Sequence, residues 1–424
     1  MSQSLLLIGS GGREDALAWK LSQSPLVTDI WVLPGNPAMN RHPKVQTIAG
    51  TIDAQSILSF CTQYHPSLVM IGPEQPIVDG VADILRAKGF AVCAPSAMAA
   101  QLEGSKIFSK TFMNEFDIPT ATSVAAYSYQ EALDALEQWD FSDGIVIKSD
   151  ALAGGKGVVL CDTKEEAQKV VHQFMIDPTI SVHTEHILFE QKLHGREVSA
   201  FALLDGEDCI ALGYACDYKR VYDGDQGPNT GGMGTYTPQG WPLEHHKEQV
   251  RSIFRKVCAG MKKRGHPYQG ILFAGLMIDE ESVQVIEFNI RFGDPETQVI
   301  MPTLKNDLYP LLLAASQGTL HTIEEEIHNE HVAVHVVLAA QGYPSIGTHP
   351  VQKGDPIHVS NTSDLIFYAG VSQKEDVLYT SGGRVLGTTA VGESIEIARQ
   401  KAYASIAHIH FDGMHYRTDI GKQS

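Results

Sequence analysis

Paired cysteines, clustered cations and long apolar runs are all missing from this 424-residue chain, and each absence removes a class of function. The six cysteines, at positions 61, 93, 161, 209, 216 and 258, are scattered and include no CxxC pair. That pattern speaks against a disulfide scaffold and for buried free thiols in a reducing compartment, so a cytoplasmic location is expected. Only 32 Lys and Arg stand against 50 Asp and Glu, a net charge of −18. A nucleic-acid coat, which needs clustered cations along phosphate backbones, is therefore excluded, and any anionic ligand needs a local concentration of cations. No run approaches the roughly 18 apolar residues of a membrane span, and MSQSLLLIGSGG lacks the basic start and long apolar core of a signal peptide. HExxH and GxSxG are absent too, which leaves zinc-protease and serine-hydrolase chemistry without its residues.

What is present is a globular composition, 43% apolar and 19% charged, over a length that suggests about three domains. The first hundred residues alternate apolar strands (LLLIG, IWVLPG, LVMIGP, FAVCAP) with helical patterns, the rhythm of a parallel α/β sheet. An amphipathic stretch, AAQLEGSKIFSKTFMNEFDIP, ends at Pro119; GIVIKSD, GVVLCD and HILFEQKL then supply the strands of a small second unit. Apolar residues at 250, 253, 254, 257 and 261 predict a helix over 250–261, closed by Lys262, Lys263, Arg264 and Gly265. From His331 the chain is β-rich, with a last helix near 395–408. The fold class is α/β and α+β multidomain.

Chemistry concentrates in a few places. In VQVIEFNIRFGDPETQ, residues 283–298, strand alternation puts Glu287, Asn289 and Arg291 on one face with Val283 and Val285, and Ile286, Phe288, Ile290 and Phe292 on the other. Glu287 and Asn289, about 6.6 Å apart along the strand, are oxygen donors suited to one magnesium ion that takes its other ligands from phosphates. Arg291 adds a cation for phosphoryl or carboxylate oxygens. Asp294 and Pro295 read as the N-cap and first residue of a helix. Gly9, Gly11 and Gly12 follow a strand and open a helix, so their amides suit a phosphate monoester or simply turn the chain. The dinucleotide fingerprint is broken, because Glu14 stands at its third glycine and WVLPGN offers no acid. DALAGGKGVVL is no Walker loop, since Gly157 and an apolar strand follow Lys156; it reads as a hairpin able to close over a polyphosphate. Lys148 and Lys106 are ambiguous alone, a half-exposed lysine or a phosphate contact. Glu190 ends a strand before a short extended hinge. DYKRVYDGDQGPNTGGMG is too rich in charge and glycine for any element interior and reads as a substrate loop.

QLEGSK, IVIKSDALAGGKGV, GPNTGGMG, EFNIRFGDPETQ, TSGGRVLG and DGMHYRTDIG together resemble the phosphoribosylamine–glycine ligases, or glycinamide ribonucleotide synthetases, of the ATP-grasp superfamily. The resemblance implies an N-terminal α/β domain at 1–103, an ATP-grasp body at 104–123 and 193–329, a small mobile lobe at 124–192 and a β-rich C-terminal domain at 330–424. It implies magnesium or manganese held by Glu287 and Asn289, and ATP held by Lys106, Lys148, Gly154, Gly155, Lys156, Gly157, Glu190, Leu193 and Glu197. Acceptor binding falls to Gly11, Gly12, Asp217, Lys219, Arg220, Thr230, Gly231, Gly232 and Arg291, with Lys148, Lys156, Arg291 and Asp217 catalytic. The implied partners are small molecules: ATP, glycine and 5-phosphoribosylamine, with no nucleic acid or membrane. Tyr218 stands where the family usually has histidine, and GILFAGLMI lacks the acid that many ATP-grasp enzymes carry on the preceding strand.

Overall fold

The computed structural model describes residues 3–152, 157–177, 183–324, 326–345, 350–360 and 365–422. The predicted parallel sheet is present. β1 (Gln3–Gly9), β2 (Val27–Pro34), β3 (Val45–Thr47), β4 (Leu68–Ile71) and β5 (Val92–Cys93) lie in the order β3-β2-β1-β4-β5, and every pair is parallel. Leu5, Leu6, Leu7 and Ile8 are fully buried, because crossover helices cover both faces of a parallel sheet. Here these are α1 (Gly12–Ser22), α2 (Ala54–Tyr64), α3 (Glu74–Val78) and α4 (Val81–Ala87). Gly9, at φ +128, turns β1 into α1, and a Cβ there would stand 2.5 Å from the Glu14 side chain. Glu14 instead accepts a hydrogen bond from the Gly11 amide at 2.7 Å.

After α5 (Gln101–Gly104), Ser105 caps α6 (Lys106–Glu115) by accepting from the Phe108 amide at 3.0 Å. The small unit follows. β6 (Ser123–Ala126), β7 (Ile145–Ser149), β8 (Val158–Cys161) and β9 (Ile187–Glu190) form an antiparallel sheet in the order β6-β9-β7-β8, with α7 (Tyr129–Gln138) and α8 (Lys164–Met175) against it. It has its own core, built from residues such as Ile147, Phe189, Leu136 and Val171.

The largest sheet has eight strands. β10 (Arg196–Asp205), β11 (Cys209–Asp217), β14 (Gly234–Tyr236), β15 (Gln269–Ile278), β16 (Val283–Asn289), β17 (Val332–Ala339), β19 (Leu365–Tyr368) and β22 (Arg384–Gly392) run in the order β16-β15-β10-β11-β14-β17-β22-β19. Through the β14–β17 pair the sheet continues past residue 329 into the β-rich C-terminal region. The segment 217–234, read from the sequence as an irregular loop, instead contains a hairpin of β12 (Arg220–Tyr222) and β13 (Gln226–Asn229), its strands polar because the ribbon is mostly solvated. Smaller pieces are β18 (His358–Val359), paired with β23 (Ile409–His410), and the hairpin β20 (Val371–Lys374) with β21 (Val377–Thr380). α9 (Glu244–Lys263) begins six residues before the predicted apolar stripe; α10 (Thr297–Thr303), α11 (Leu308–Gln317) and α12 (Ile395–Ile406) complete the set. None of the described helices is long and apolar enough to cross a membrane.

One strand departs from simple alternation in a way that shapes the site. Gly275 pairs with Glu287 but Leu276 pairs with Val285, so Ile286 is an extra residue, a β-bulge. The bulge reverses the phase of β16. Val283 and Val285 are therefore core residues, alongside Phe288, Ile290 and Phe292, and not neighbours of Glu287 on the chemical face as alternation predicts. The face that changes from apolar to polar belongs to two registers.

Candidate active site

From the bulge onward, Ile286, Glu287, Asn289 and Arg291 line a cavity of about 460 Å³ that the N-terminal domain, the small sheet and the large sheet all help to form. Glu287 and Asn289 are half-buried. Among the described residues no side chain hydrogen-bonds the Glu287 carboxylate. Asn289 donates its amide to the Phe288 carbonyl at 2.9 Å, leaving Oδ1 as an acceptor. A half-buried carboxylate without a hydrogen-bonded partner, beside an amide oxygen, fits a hard divalent cation. The described residues hold no group of three or more His, Cys, Asp or Glu able to hold a metal ion, and an ion at Glu287 and Asn289 would need further ligands from substrate or water. Across the sheet, Gly275 and Phe273 pair with Glu287 and Asn289, so the neighbouring strand offers no carboxylate opposite them.

One wall of the cavity is built by the small sheet and α6. Lys148 on β7 is buried, with Nζ 2.7 Å from one Glu190 oxygen and donating to the Ile286 carbonyl at 3.1 Å. Lys110 on α6 holds the other Glu190 oxygen at 3.0 Å and is itself tied to Thr120 Oγ1 at 2.7 Å. The Glu190 carboxylate at the end of β9 is thus held by two lysines. Lys106 donates to the Ala151 carbonyl at 2.9 Å; burial lowers its pKa, against the pull of Glu287. Lys106, Lys148, Glu190 and Gly157 all line the cavity. Gly154, Gly155 and Lys156 lie outside the described residues. Leu193 and Glu197 follow the small sheet without lining the cavity, and Glu197 forms an ion pair with Lys219.

On the opposite side the cavity meets Asp217, Lys219, Thr230 and Gly231, while Arg220 and Gly232 stand back from it. Arg220 donates to the Gly227 carbonyl at 2.7 Å and braces the hairpin. Gly232, at φ +108, lets the chain pass Pro295, whose Cδ would be 2.4 Å from a Cβ. Burial pushes the Asp217 carboxyl up to about 7 against Lys219, with Glu296 and Glu197 adding to the rise. Burial likewise raises Glu296, which accepts from Ser199 at 3.2 Å. Arg291 is committed to acids, Glu74 at 3.2 Å and Glu103 at 3.1 Å, and these hold it as a fixed cation at the cavity wall. Gly11 and Gly12 do not line the cavity; Arg13, the next residue, does, held by Glu14 at 2.5 Å and the Phe292 carbonyl at 3.1 Å. Of the glycine amides predicted to meet a phosphate, that of Gly11 is bonded to Glu14.

Arg13, Glu74, Glu103, Lys110, Glu296 and Arg384, which the sequence does not single out, line the cavity, as does Asp294, which it offers only as a helix cap. Glu103 and Arg384 sit inside QLEGSK and TSGGRVLG, motifs whose side chains only the fold brings to one cavity. Asp294 and Pro295 do not cap a helix as predicted. They form a turn and α10 starts at Thr297, while the Asp294 carboxylate accepts from Gln298 at 2.9 Å and pairs with Arg384 at 3.3 Å.

Three domains of the phosphoribosylglycinamide synthetase family match in order: the N domain over residues 3–103, the ATP-grasp (A) domain over 104–297 and the C domain over 333–423. The chain is 41% identical over 426 residues to the phosphoribosylamine–glycine ligase of Agrobacterium fabrum, covering 99% of this chain and 98% of that relative. It is also 41% identical to the trifunctional purine biosynthetic protein adenosine-3 of Gallus gallus, of whose length it spans 42% while 99% of this chain is covered. The crystal structure of phosphoribosylamine–glycine ligase from Thermotoga maritima superposes with a TM-score of 0.85 at 33% identity, over 98% of this chain and 99% of that one. At 16% identity the fold is shared with the Hydrogenobacter thermophilus biotin carboxylase domain described in complex with MgADP, TM-score 0.72 over 98% of this chain and 92% of that one. With an ATP-grasp body, matching flanking domains and a full-length relative at 41% identity, the chain belongs to the phosphoribosylglycinamide synthetase family of ATP-dependent ligases.

Proposed function

We propose that this chain joins glycine to 5-phosphoribosylamine with ATP, giving glycinamide ribonucleotide, ADP and phosphate in de novo purine synthesis. The observation that carries this reading is convergence: Lys106 and Lys148, Glu287 and Asn289, and Asp217, Lys219 and Thr230 come from three parts of the fold and line one cavity. A glycine carboxylate oxygen attacks the γ-phosphorus as the bond to the ADP oxygen breaks, leaving glycyl phosphate. The phosphoribosylamine nitrogen then attacks the acyl carbon, the bond to phosphate breaks, and the nitrogen gives up a proton. The protein's part is positioning and charge neutralisation. Lys106 and Lys148 bind the phosphates, with Lys156 and the glycines 154, 155 and 157 assigned to the same group by resemblance. Glu190 with the 190–193 segment and Glu197 serve the adenosine. Arg291, fixed by Glu74 and Glu103, orients a carboxylate or phosphoryl oxygen. Glu287 and Asn289 would hold magnesium, or manganese in its place, which would neutralise phosphate charge. Asp217, Lys219, Thr230 and Gly231 contact the acceptor.

The division 1–103, 104–123 with 193–329, 124–192 and 330–424 follows the same reading, as does a cytoplasmic location, supported by six free cysteines. The deciding experiment measures ADP release with ATP, magnesium, glycine and phosphoribosylamine, each omitted in turn. Release that needs all four supports the proposal; release with another carboxylic acid or another ribonucleotide, and none with this pair, replaces it.

A further inference from the structure

The cavity-lining residues of the hairpin segment are fixed from outside the cavity by the last turn of the chain. The Arg417 side chain is fully buried. Its guanidinium donates to the Arg220 carbonyl at 3.0 Å and to Asp225 at 2.8 Å, grips Asp419 through two bonds of 2.7 and 2.6 Å, and lies 4.7 Å from the centre of the Tyr218 ring. Around it the two strands of chain are laced together. The Gly224 amide donates to Asp419 at 2.9 Å, the Thr418 amide to Asp223 at 2.8 Å, and the Gly421 amide to the Tyr218 hydroxyl at 3.2 Å. The tail is in turn anchored to α12, where Tyr403 donates to the Arg417 carbonyl at 2.8 Å and Arg399 to the Thr418 carbonyl at 2.8 Å. Tyr218 stands between Asp217 and Lys219, and the Thr230 amide donates to the Lys219 carbonyl at 2.7 Å, so whatever holds Tyr218 and Arg220 also sets Asp217, Lys219 and Thr230.

We infer that Arg417 is a positioning residue for the acceptor: through Tyr218, Arg220 and Asp225 it presents Asp217, Lys219 and Thr230 to the phosphoribosylamine, and it makes no contact with ATP. The inference rests on the acceptor reading of this segment given above. It also explains the family departure at 218, since a tyrosine supplies both a ring face for the Arg417 cation and a hydroxyl for the Gly421 amide. A neutral side chain at 417 leaves Asp225 and Asp419 without their shared cation, a lysine keeps the charge but not the forked grip on both, and the ribbon is then free to shift by about an ångström.

The test is steady-state kinetics of Arg417→Ala and Arg417→Lys with each substrate varied, together with limited trypsin digestion. Because a misplacement of about 1 Å can lower rates about 100-fold, Arg417→Ala should raise the phosphoribosylamine KM about tenfold or more and move the ATP KM less than about twofold, with Arg417→Lys intermediate. Cutting after Lys219 and Arg220 should accelerate in the variants before the rest of the chain is touched. Unchanged acceptor KM, or equal changes in both KM values, overturns the inference even if the melting temperature falls. Should Arg417→Ala not fold, Asp225→Asn, whose side chain is 68% exposed, must show the same split at about two- to threefold, and no split there overturns it. If the unaltered chain ignores phosphoribosylamine, the proposed function has failed, and trypsin sensitivity after Lys219 and Arg220 still decides whether Arg417 fixes the ribbon.

Discussion

The Lys148 ammonium stands 2.7 Å from the Glu190 carboxylate, and both are buried. Since Lys110 holds the second oxygen of the same carboxylate, one carboxylate stands against two lysines, and all three line the cavity. Lys110→Met should destabilise the chain by about 3 kcal/mol, the low end for breaking a buried pair, because Lys148 remains to face Glu190. Urea denaturation measures this, and adding Glu190→Leu should destabilise less than the single change predicts by addition. A Lys110→Met variant as stable as its parent would mean that the cluster is not held together by charge.

Glu287→Gln and Asn289→Ala should each lower turnover at least about 100-fold, as the loss of a charge-stabilising group does, while circular dichroism stays unchanged. The Glu287 carboxylate lacks a hydrogen-bond partner among the described residues, so its neutralisation breaks no hydrogen bond there. Either variant turning over near the normal rate at ordinary magnesium concentration would take that residue out of the site.

Much of this arrangement is legible in the sequence where side-chain period and structure agree. The parallel sheet, the hairpin of β7 and β8 and the cavity-lining residues Lys106, Lys148, Glu287, Asn289 and Arg291 follow from alternation and motif. Val283 and Val285 do not, because a bulge at Ile286 is a property of pairing with β15 and leaves no local mark. The Gly11 amide looks free for a phosphate until Glu14 is seen folding back onto it. Arg13, Glu74 and Arg384 come from distant segments, and only the fold brings them together. The polar ribbon of β12 and β13 was hidden for another reason: its strands bury almost nothing, so no apolar period announces them.

His335 on β17 is a buried neutral ring. Burial lowers its pKa to about 3 and Arg384 adds to the fall, while Asp294 opposes it; the ring fills the space beside Gly387, where a Cβ would stand 2.3 Å from Cε1. Below about pH 6.5 the unfolded chain takes up a proton that the folded ring refuses, so this residue withdraws stability as pH falls from about 6.5 towards 3, near 1.4 kcal/mol per pH unit once the unfolded ring is charged. His335→Gln should therefore lose about 1–2 kcal/mol less than the parent between pH 6.5 and 5. Parallel stability curves for the two proteins over that interval would show that the ring is charged in the fold.

The central claim is that one cavity activates a glycine carboxylate with the γ-phosphate of ATP and then hands the acyl group to an amine. Glycine labelled with oxygen-18 in its carboxylate tests it most directly, by mass analysis of the products after complete turnover with phosphoribosylamine. The account predicts ADP as the nucleotide product and one carboxylate oxygen carried into inorganic phosphate. Unlabelled phosphate, or AMP with pyrophosphate, would contradict it.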